Sequence, residues 1–285
     1  MKKLIIANWK MNPKTLAEAQ DIVAKIDEHV RGLGAGAQQL DIVFCPPFVF
    51  LEDVAAMLGE GVLADVARLG AQDIAARDDV AQTGEVSGPQ LAKLGVRYVI
   101  VGHSDRRYKL NEDDEMVNEK LRAALRNGLV PIVCVGERTR LRQGFGGQAR
   151  EGDWQDALKA QVAATFRGLT PGQVGQCIIA YEPVWAISTN PDAKPDTPAS
   201  AVQSMSLIRE ALADHFDVSH IAFLYGGSVT PANAHEFLQR SEISGVLVGG
   251  ASVRAEDFAR ILTIASEIAE DEIQGIDKSG RQECN

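Results

Sequence analysis

The sequence predicts an α/β chain folded as a single (β/α)8 barrel, and three observations carry that reading. Short β-branched runs recur along the chain, nearly continuous in apolar character, as strands buried on both faces must be. Helical patterns with their own start signals lie between them, and strand-then-helix repetition builds a parallel sheet with helical crossovers. The chain has 285 residues, near the upper limit for one hydrophobic core and ordinary for eight βα units. An open, doubly wound sheet is the other arrangement that fits the pattern, and the eight repeats favour closure.

Seven runs read as strands: Leu4–Ala7, Leu40–Cys45, Tyr98–Val101, Val130–Val135, Cys177–Ala180, Ile221–Leu224 and Val246–Val248. An eighth, around Leu63–Ala71, is the weakest. The helices announce themselves by their starts. Thr15-Leu16-Ala17-Glu18 is a capping box, in which Thr15 caps the helix and Glu18 reaches back to the cap's N–H. Leu16, Ala19, Ile22, Val23, Ile26 and Val30 follow at helical spacing. Ser87–Gln90 and Thr170–Gln173 repeat the capping pattern, while Thr197-Pro198 and Thr230-Pro231 place proline at a first helical position.

No linker divides the chain, so residues 1–285 read as one domain. Arg138–Asp153 and Ser188–Asp196 read as long loops, and Asp271–Asn285 reads as a mobile tail. Apolar residues make up 45% and charged residues 24% of the chain, an ordinary globular balance. The net charge of −10 argues against non-specific binding to nucleic acid or to an anionic membrane. Any anionic ligand must be attracted by local groups. The apolar run after Met1 is too short for a signal peptide, and no stretch approaches the length of a transmembrane helix. Cys45, Cys134 and Cys177 sit in apolar runs and Cys284 near the end, without CxxC spacing. The first three read as reduced core residues of a cytoplasmic protein.

A parallel barrel carries its active site at the C-terminal ends of its strands. The residues directly after the apolar runs are Asn8-Trp9-Lys10, Gly102-His103-Ser104, Tyr181-Glu182-Pro183, Tyr225-Gly226-Gly227-Ser228 and Gly249-Gly250-Ala251-Ser252. Singly, each has an ordinary structural explanation. A lysine ending a strand is usually a solvated charge, a histidine a satisfied structural group, and a Gly-Gly pair a bend. Their convergence at strand ends points to a site. The two glycine turns follow the last two strands, where backbone N–H groups without a Cβ in the way can cradle an anion. A small phosphate ester fits that place. Glu182, His103 and Lys10 form a proton-transfer set: a carboxylate to abstract a proton beside a carbonyl, an imidazole to donate to the enediolate, an ammonium to stabilise its charge. This set contains no metal cluster and no cofactor fingerprint, so the expectation is a cofactor-free isomerisation.

Over roughly residues 2–265 the chain resembles the triosephosphate isomerase family. The resemblance rests on Ala7–Asn12, Gly102–Ser104, Ala180–Ile187, Tyr225–Val229 and Leu247–Ser252. Cys45–Phe48, Gly70–Gln72, Thr83–Glu85 and Cys134–Glu137 support it. It implies interconversion of dihydroxyacetone phosphate and glyceraldehyde 3-phosphate, a reaction of glycolysis and gluconeogenesis. It implies Glu182 as the base, His103 as a neutral electrophile at a helix start, and Lys10 with Asn8 as substrate contacts. Ser188, Ser228, Gly249 and Gly250 are implied as the phosphate grip, and Pro183-Val184-Trp185 as the hinge of a closing lid. The loop around Thr83-Gly84-Glu85 implies a homodimer.

This chain departs from the family at several points. Asp105 stands where glutamate is usual, Asp73 where asparagine is usual, and Ser188-Thr189-Asn190 in place of a glycine-containing lid tip. About three extra residues precede Thr197-Pro198, and the Arg138–Asp153 stretch is long and basic. Two other readings compete: a binder that keeps the phosphate grip without catalysis, and a different phosphosugar barrel. The intact Lys10, His103 and Glu182 argue against the first, and the Tyr181–Trp185 stretch against the second.

Overall fold

The computed structural model describes residues 2–139, 153–187 and 194–275. Eight parallel strands form a closed barrel in chain order. They are β1 (Lys3–Asn8), β2 (Leu40–Cys45), β3 (Ala67–Ala71), β4 (Tyr98–Val101), β5 (Val130–Val135), β6 (Ile178–Tyr181), β7 (Phe223–Tyr225) and β8 (Gly245–Val248). Most strand residues are buried on both faces, which is why the strands read as continuous apolar runs.

The described residues pack as two compact units, one drawn from residues up to 69 and from 229 onward, the other from residues 70–228. In the first unit, β1 pairs with β2 from Lys3 opposite Leu40 to Asn8 opposite Cys45. Trp9, Phe44 and Phe258 stack edge to face, with ring centroids 6.0 Å apart in each pair. Buried Lys3 donates to Glu272 Oε1 at 2.6 Å, tying the start of β1 to the helix Ala255–Gln274. In the second unit, the guanidinium of buried Arg107 donates to Gly102 O at 2.7 Å and to Asp114 Oδ1 at 2.5 Å. This fixes the turn after β4 against the next helix, Asp114–Arg126.

The capping signals translate directly. Glu18 N–H donates to Thr15 Oγ1 at 3.3 Å and Thr15 N–H to Glu18 Oε2 at 3.1 Å, opening the helix Leu16–Gly32. Thr170 and Gln173 exchange the same pair of bonds, and Thr197 caps the helix Pro198–Ala213. Thr230-Pro231 behaves differently. Asn233 accepts the Thr230 N–H at 2.8 Å and takes the cap position, so the helix opens three residues later, over Ala234–Leu238. The weak eighth run is half helical. Leu63–Val66 forms one helical turn and the strand begins at Ala67. Asp27 Oδ1 caps that turn, accepting from Val62 and Leu63 N–H at 2.8 and 3.1 Å.

Cys45, Cys134 and Cys177 are buried free thiols. The last helix continues to Gln274, and residues 276–285, the rest of the expected tail including Cys284, lie outside the described residues. So do residues 140–152 of the long basic stretch and 188–193 of the expected lid, with Ser188 and Asn190. Among the described residues no helix is long and apolar enough to cross a membrane.

Candidate active site

The helix after β4, Ser104–Lys109, starts at His103, which serves as its N-cap. Imidazole Nδ1 accepts the Asp105 N–H at 3.0 Å. A nitrogen that accepts a hydrogen bond carries a lone pair, so the ring proton of the neutral imidazole resides on Nε2. Nε2 lies 3.0 Å from Glu182 Oε1 and donates to it. The other carboxylate oxygen, Oε2, accepts the Ser104 N–H at 2.8 Å. Glu182 is only 2% exposed, and both of its oxygens are engaged by the start of the His103 helix. Asp105 directs its carboxylate to Lys109 Nζ at 2.5 Å and leaves Oδ2 3.6 Å from His103 Nδ1.

Backbone packing seats Glu182. Its N–H donates to Val135 O at 2.8 Å. Gly136 follows Val135, and a Cβ there would lie 1.8 Å from the Glu182 carbonyl oxygen. The chain after β5 can press this closely on the chain after β6 because position 136 has no side chain. The next residue, Glu137, is buried. Its Oε1 accepts from the Tyr181 hydroxyl and from the Trp185 indole N–H, both at 2.8 Å. One carboxylate oxygen thus holds the residues on either side of Glu182-Pro183-Val184. Trp185 belongs to the single 3-10 turn Val184–Ala186, and its carbonyl accepts the Lys194 N–H at 3.4 Å across the undescribed segment.

Ser228 follows β7 and is half-buried. The glycine before it has a local reason as well as the expected one. A Cβ on Gly227 would meet the Tyr225 hydroxyl at 2.2 Å, so the tyrosine ring lies over this turn. Burial, aided by the Asp196 charge, pushes the Tyr225 phenol well above its ordinary value.

In the other unit, Asn8 ends β1 and its Oδ1 accepts the Lys10 N–H at 3.1 Å. Lys10 is held at φ 54°, a left-handed conformation that is rare for a residue with a side chain. Its stem passes close to the last glycine turn, since a Cβ on Gly249 would lie 3.6 Å from Lys10 Cε. Gly249 and Gly250 open the 3-10 turn Gly250–Val253, whose first N–H groups have no partner within the turn. Gly249 O accepts the Ser252 hydroxyl at 2.7 Å, bracing that turn.

Each expected site residue that is described therefore lies at or just beyond the C-terminal end of a strand. His103 and Glu182 are brought into direct contact. Lys10 is brought to Gly249. Ser188 lies outside the described residues. Gly136 and Glu137 entered the sequence reading as part of a motif, without a role. Applying the strand-end rule to β5, as it was applied to β1, β4, β6, β7 and β8, leads to both. Among the described residues, no three His, Cys, Asp or Glu side chains are arranged to hold a metal ion.

The whole sequence carries the same signal as the local geometry. A family model described as Triosephosphate isomerase matches residues 3–265. A triosephosphate isomerase of Chloroflexus aurantiacus is 44% identical over 262 residues, covering 91% of this chain and 97% of the relative. One from Moorella thermoacetica is 42% identical over 265 residues, covering 92% and 98%. One from Cutibacterium acnes is 40% identical over 263 residues, covering 91% and 96%. Identity at this level over nearly the full length of both partners leaves one assignment: the chain belongs to the triosephosphate isomerase family.

Proposed function

We propose that the chain interconverts dihydroxyacetone phosphate and glyceraldehyde 3-phosphate with Glu182, His103 and Lys10 as its reacting groups. Glu182 takes a proton from the carbon beside the substrate carbonyl, and the electron pair moves into an enediolate. The same carboxyl then returns the proton to the neighbouring carbon. Meanwhile the hydroxyl proton passes from one enediolate oxygen to the other, so that the carbonyl forms at the carbon first deprotonated. His103 donates its Nε2–H to the enediolate oxygens, and the Lys10 ammonium offsets the negative charge that develops there. The observation that carries this reading is the two-sided bonding of His103. A backbone N–H on Nδ1 leaves the ring proton on Nε2, aimed at the residue that acts as base.

In the structure that Nε2–H is engaged by Glu182 at 3.0 Å. Substrate has to take its place, which frees the carboxylate for the substrate carbon. Asn8 and Lys10 contact the substrate, and Ser188, Ser228, Gly249 and Gly250 bind its phosphate. The parallel strand order and the position of each described residue at or just beyond a strand end support this division of labour. The residues from Val184 to about Asp196 close over the ligand and exclude water, which protects the enediolate from losing phosphate.

The chain works in the cytoplasm as one barrel domain, without metal or cofactor, and pairs with a second copy through the loop around Thr83-Gly84-Glu85. Met11, Val49 and Val80, at 82%, 77% and 49% exposed, are large apolar side chains that such pairing would cover. Light scattering at micromolar protein tests this. A fully active particle of one chain mass sinks it.

The catalytic assignment is tested with Glu182→Gln in a coupled assay with glyceraldehyde 3-phosphate. An amide cannot accept the proton, and general-base contributions are about 10²–10⁴-fold. A folded variant that keeps more than about a tenth of wild-type turnover removes Glu182 from the role.

A further inference from the structure

We propose that Asp73 is a positioning residue for this isomerisation, acting through Arg106 on the helix that His103 caps. Asp73 lies two residues beyond β3 and is 5% exposed. Lys120, from the helix Asp114–Arg126, donates to both of its oxygens at 2.8 and 2.7 Å. Arg106 Nη2 lies 2.8 Å from Asp73 Oδ2 and 2.6 Å from Glu112 Oε1, and Arg106 Nε donates to the same Glu112 oxygen at 2.7 Å. Lys120 Nζ also reaches Glu112 Oε1 at 2.5 Å. The four side chains close a ring of two carboxylates and two cations whose charges cancel.

The ring matters to the active site because of where Arg106 sits. It is three residues beyond His103, and its N–H donates to His103 O at 2.8 Å. The His103 ring therefore rests on a turn whose third residue is tied to the chain after β3 by the Asp73 carboxylate. An asparagine at position 73, the usual family residue, can bond but cannot balance charge. Lys120 and Arg106 would then share the Glu112 carboxylate alone, and the charge that draws Arg106 toward the chain after β3 is gone. Arg106 then turns outward, and that slackens the His103 turn.

Burial raises the Asp73 carboxyl to about 6, with Lys120 and Arg106 pulling it down and Glu112 pushing it up. Glu85, from the loop before the helix Gly88–Lys93, adds its field at Arg106. Acid therefore does to this ring what the asparagine substitution does. It removes one of the two carboxylate charges, near pH 6.

The inference rests on the isomerase reading, which wild-type turnover of triose phosphate tests separately. The experiment is the pH profile of kcat at saturating substrate for wild type, Asp73→Asn and Asp73→Ser. Both variants should lose about tenfold in kcat near neutral pH, less than the roughly 10²-fold that a 1 Å misplacement costs, with KM little changed. Wild-type kcat should contain a step near pH 6 that both variants lack. Unchanged kcat with an unchanged profile, whatever happens to melting temperature, overturns the proposal. Should both variants fail to fold, the His103 Nε2–H resonance of the wild type decides. It should shift with a midpoint near pH 6, and a resonance constant from pH 5 to 8 overturns the proposal.

Discussion

The α-carbon of Gly136 faces the carbonyl oxygen of Glu182 so closely that a Cβ added there would lie 1.8 Å from it. No side-chain rotation relieves that contact, because both partners are backbone. Gly136→Ala must push the chain after β6 away from β5, moving Glu182 with it. Displacing a catalytic group by about 1 Å costs roughly 10²-fold in rate, and overpacking of this kind costs about 1–3 kcal/mol or more in stability. Activity and thermal melting of the purified variant measure both. A variant with wild-type kcat would show that Glu182 is not seated by this contact.

Glu137→Met should lower stability rather than merely alter the lid. It leaves the Tyr181 hydroxyl and the Trp185 indole N–H without the oxygen that accepts both. Each buried donor left unsatisfied costs about 1–3 kcal/mol. In a chain of this size each kcal/mol lowers Tm by about 2–4 °C, so a fall below about 3 °C in calorimetry contradicts the arrangement. Trp185→Phe removes one of the two bonds and should show the smaller loss.

Lys10→Gly separates chemistry from backbone strain. The lysine is held at φ 54°, a conformation that costs of order 1 kcal/mol for a residue with a Cβ and nothing for glycine. The variant should match or exceed wild type in chemical denaturation while losing most of its turnover, since the ammonium is gone. Retained activity would remove Lys10 from the site. A large loss of stability would show that its side chain holds the fold.

Asp105→Glu should leave turnover equal or higher. What Asp105 supplies to His103 is its backbone N–H, at 3.0 Å from Nδ1, and a glutamate keeps that donor. The carboxylate itself is paired with Lys109, and a glutamate can keep an ion pair with that neighbour. A large drop in kcat would show that the site is built around the shorter acid.

The same Asp73 carboxyl predicts a trend in stability. Its folded value, about 6, lies above the ordinary 3.8, so the folded chain binds the proton more tightly than the unfolded one. Its contribution is fully present below about 3.8 and is lost as pH rises through about 6. The stability of wild type relative to Asp73→Asn should therefore fall across that window, by at most about 1.4 kcal/mol per pH unit, and level off above it. Urea unfolding of both proteins at several pH values reads this directly. A difference that grows with pH would mean the cations overcome the burial cost.

The sequence by itself determined the barrel and the family, and it pointed to the residues proposed to carry the chemistry. Strands buried on both faces must be apolar without interruption, helices must satisfy their first N–H groups, and both demands leave marks on neighbouring residues, as at Thr15-Glu18 and Thr170-Gln173. Residues that end such strands, among them Lys10, His103 and Glu182, were legible for the same reason. Tertiary structure decided what depends on residues distant in the chain. The proton of His103 is placed on Nε2 by the Asp105 N–H and by Glu182, which is 79 positions away. Gly136 is required by the backbone of residue 182, Gly227 by the hydroxyl of Tyr225, and Asp73 gains its meaning from Arg106, Glu112 and Lys120. Local sequence records hydrogen bonds and burial within one element. Close approaches and charge balance between elements are written in no single stretch of it, and they appear when the chain has folded.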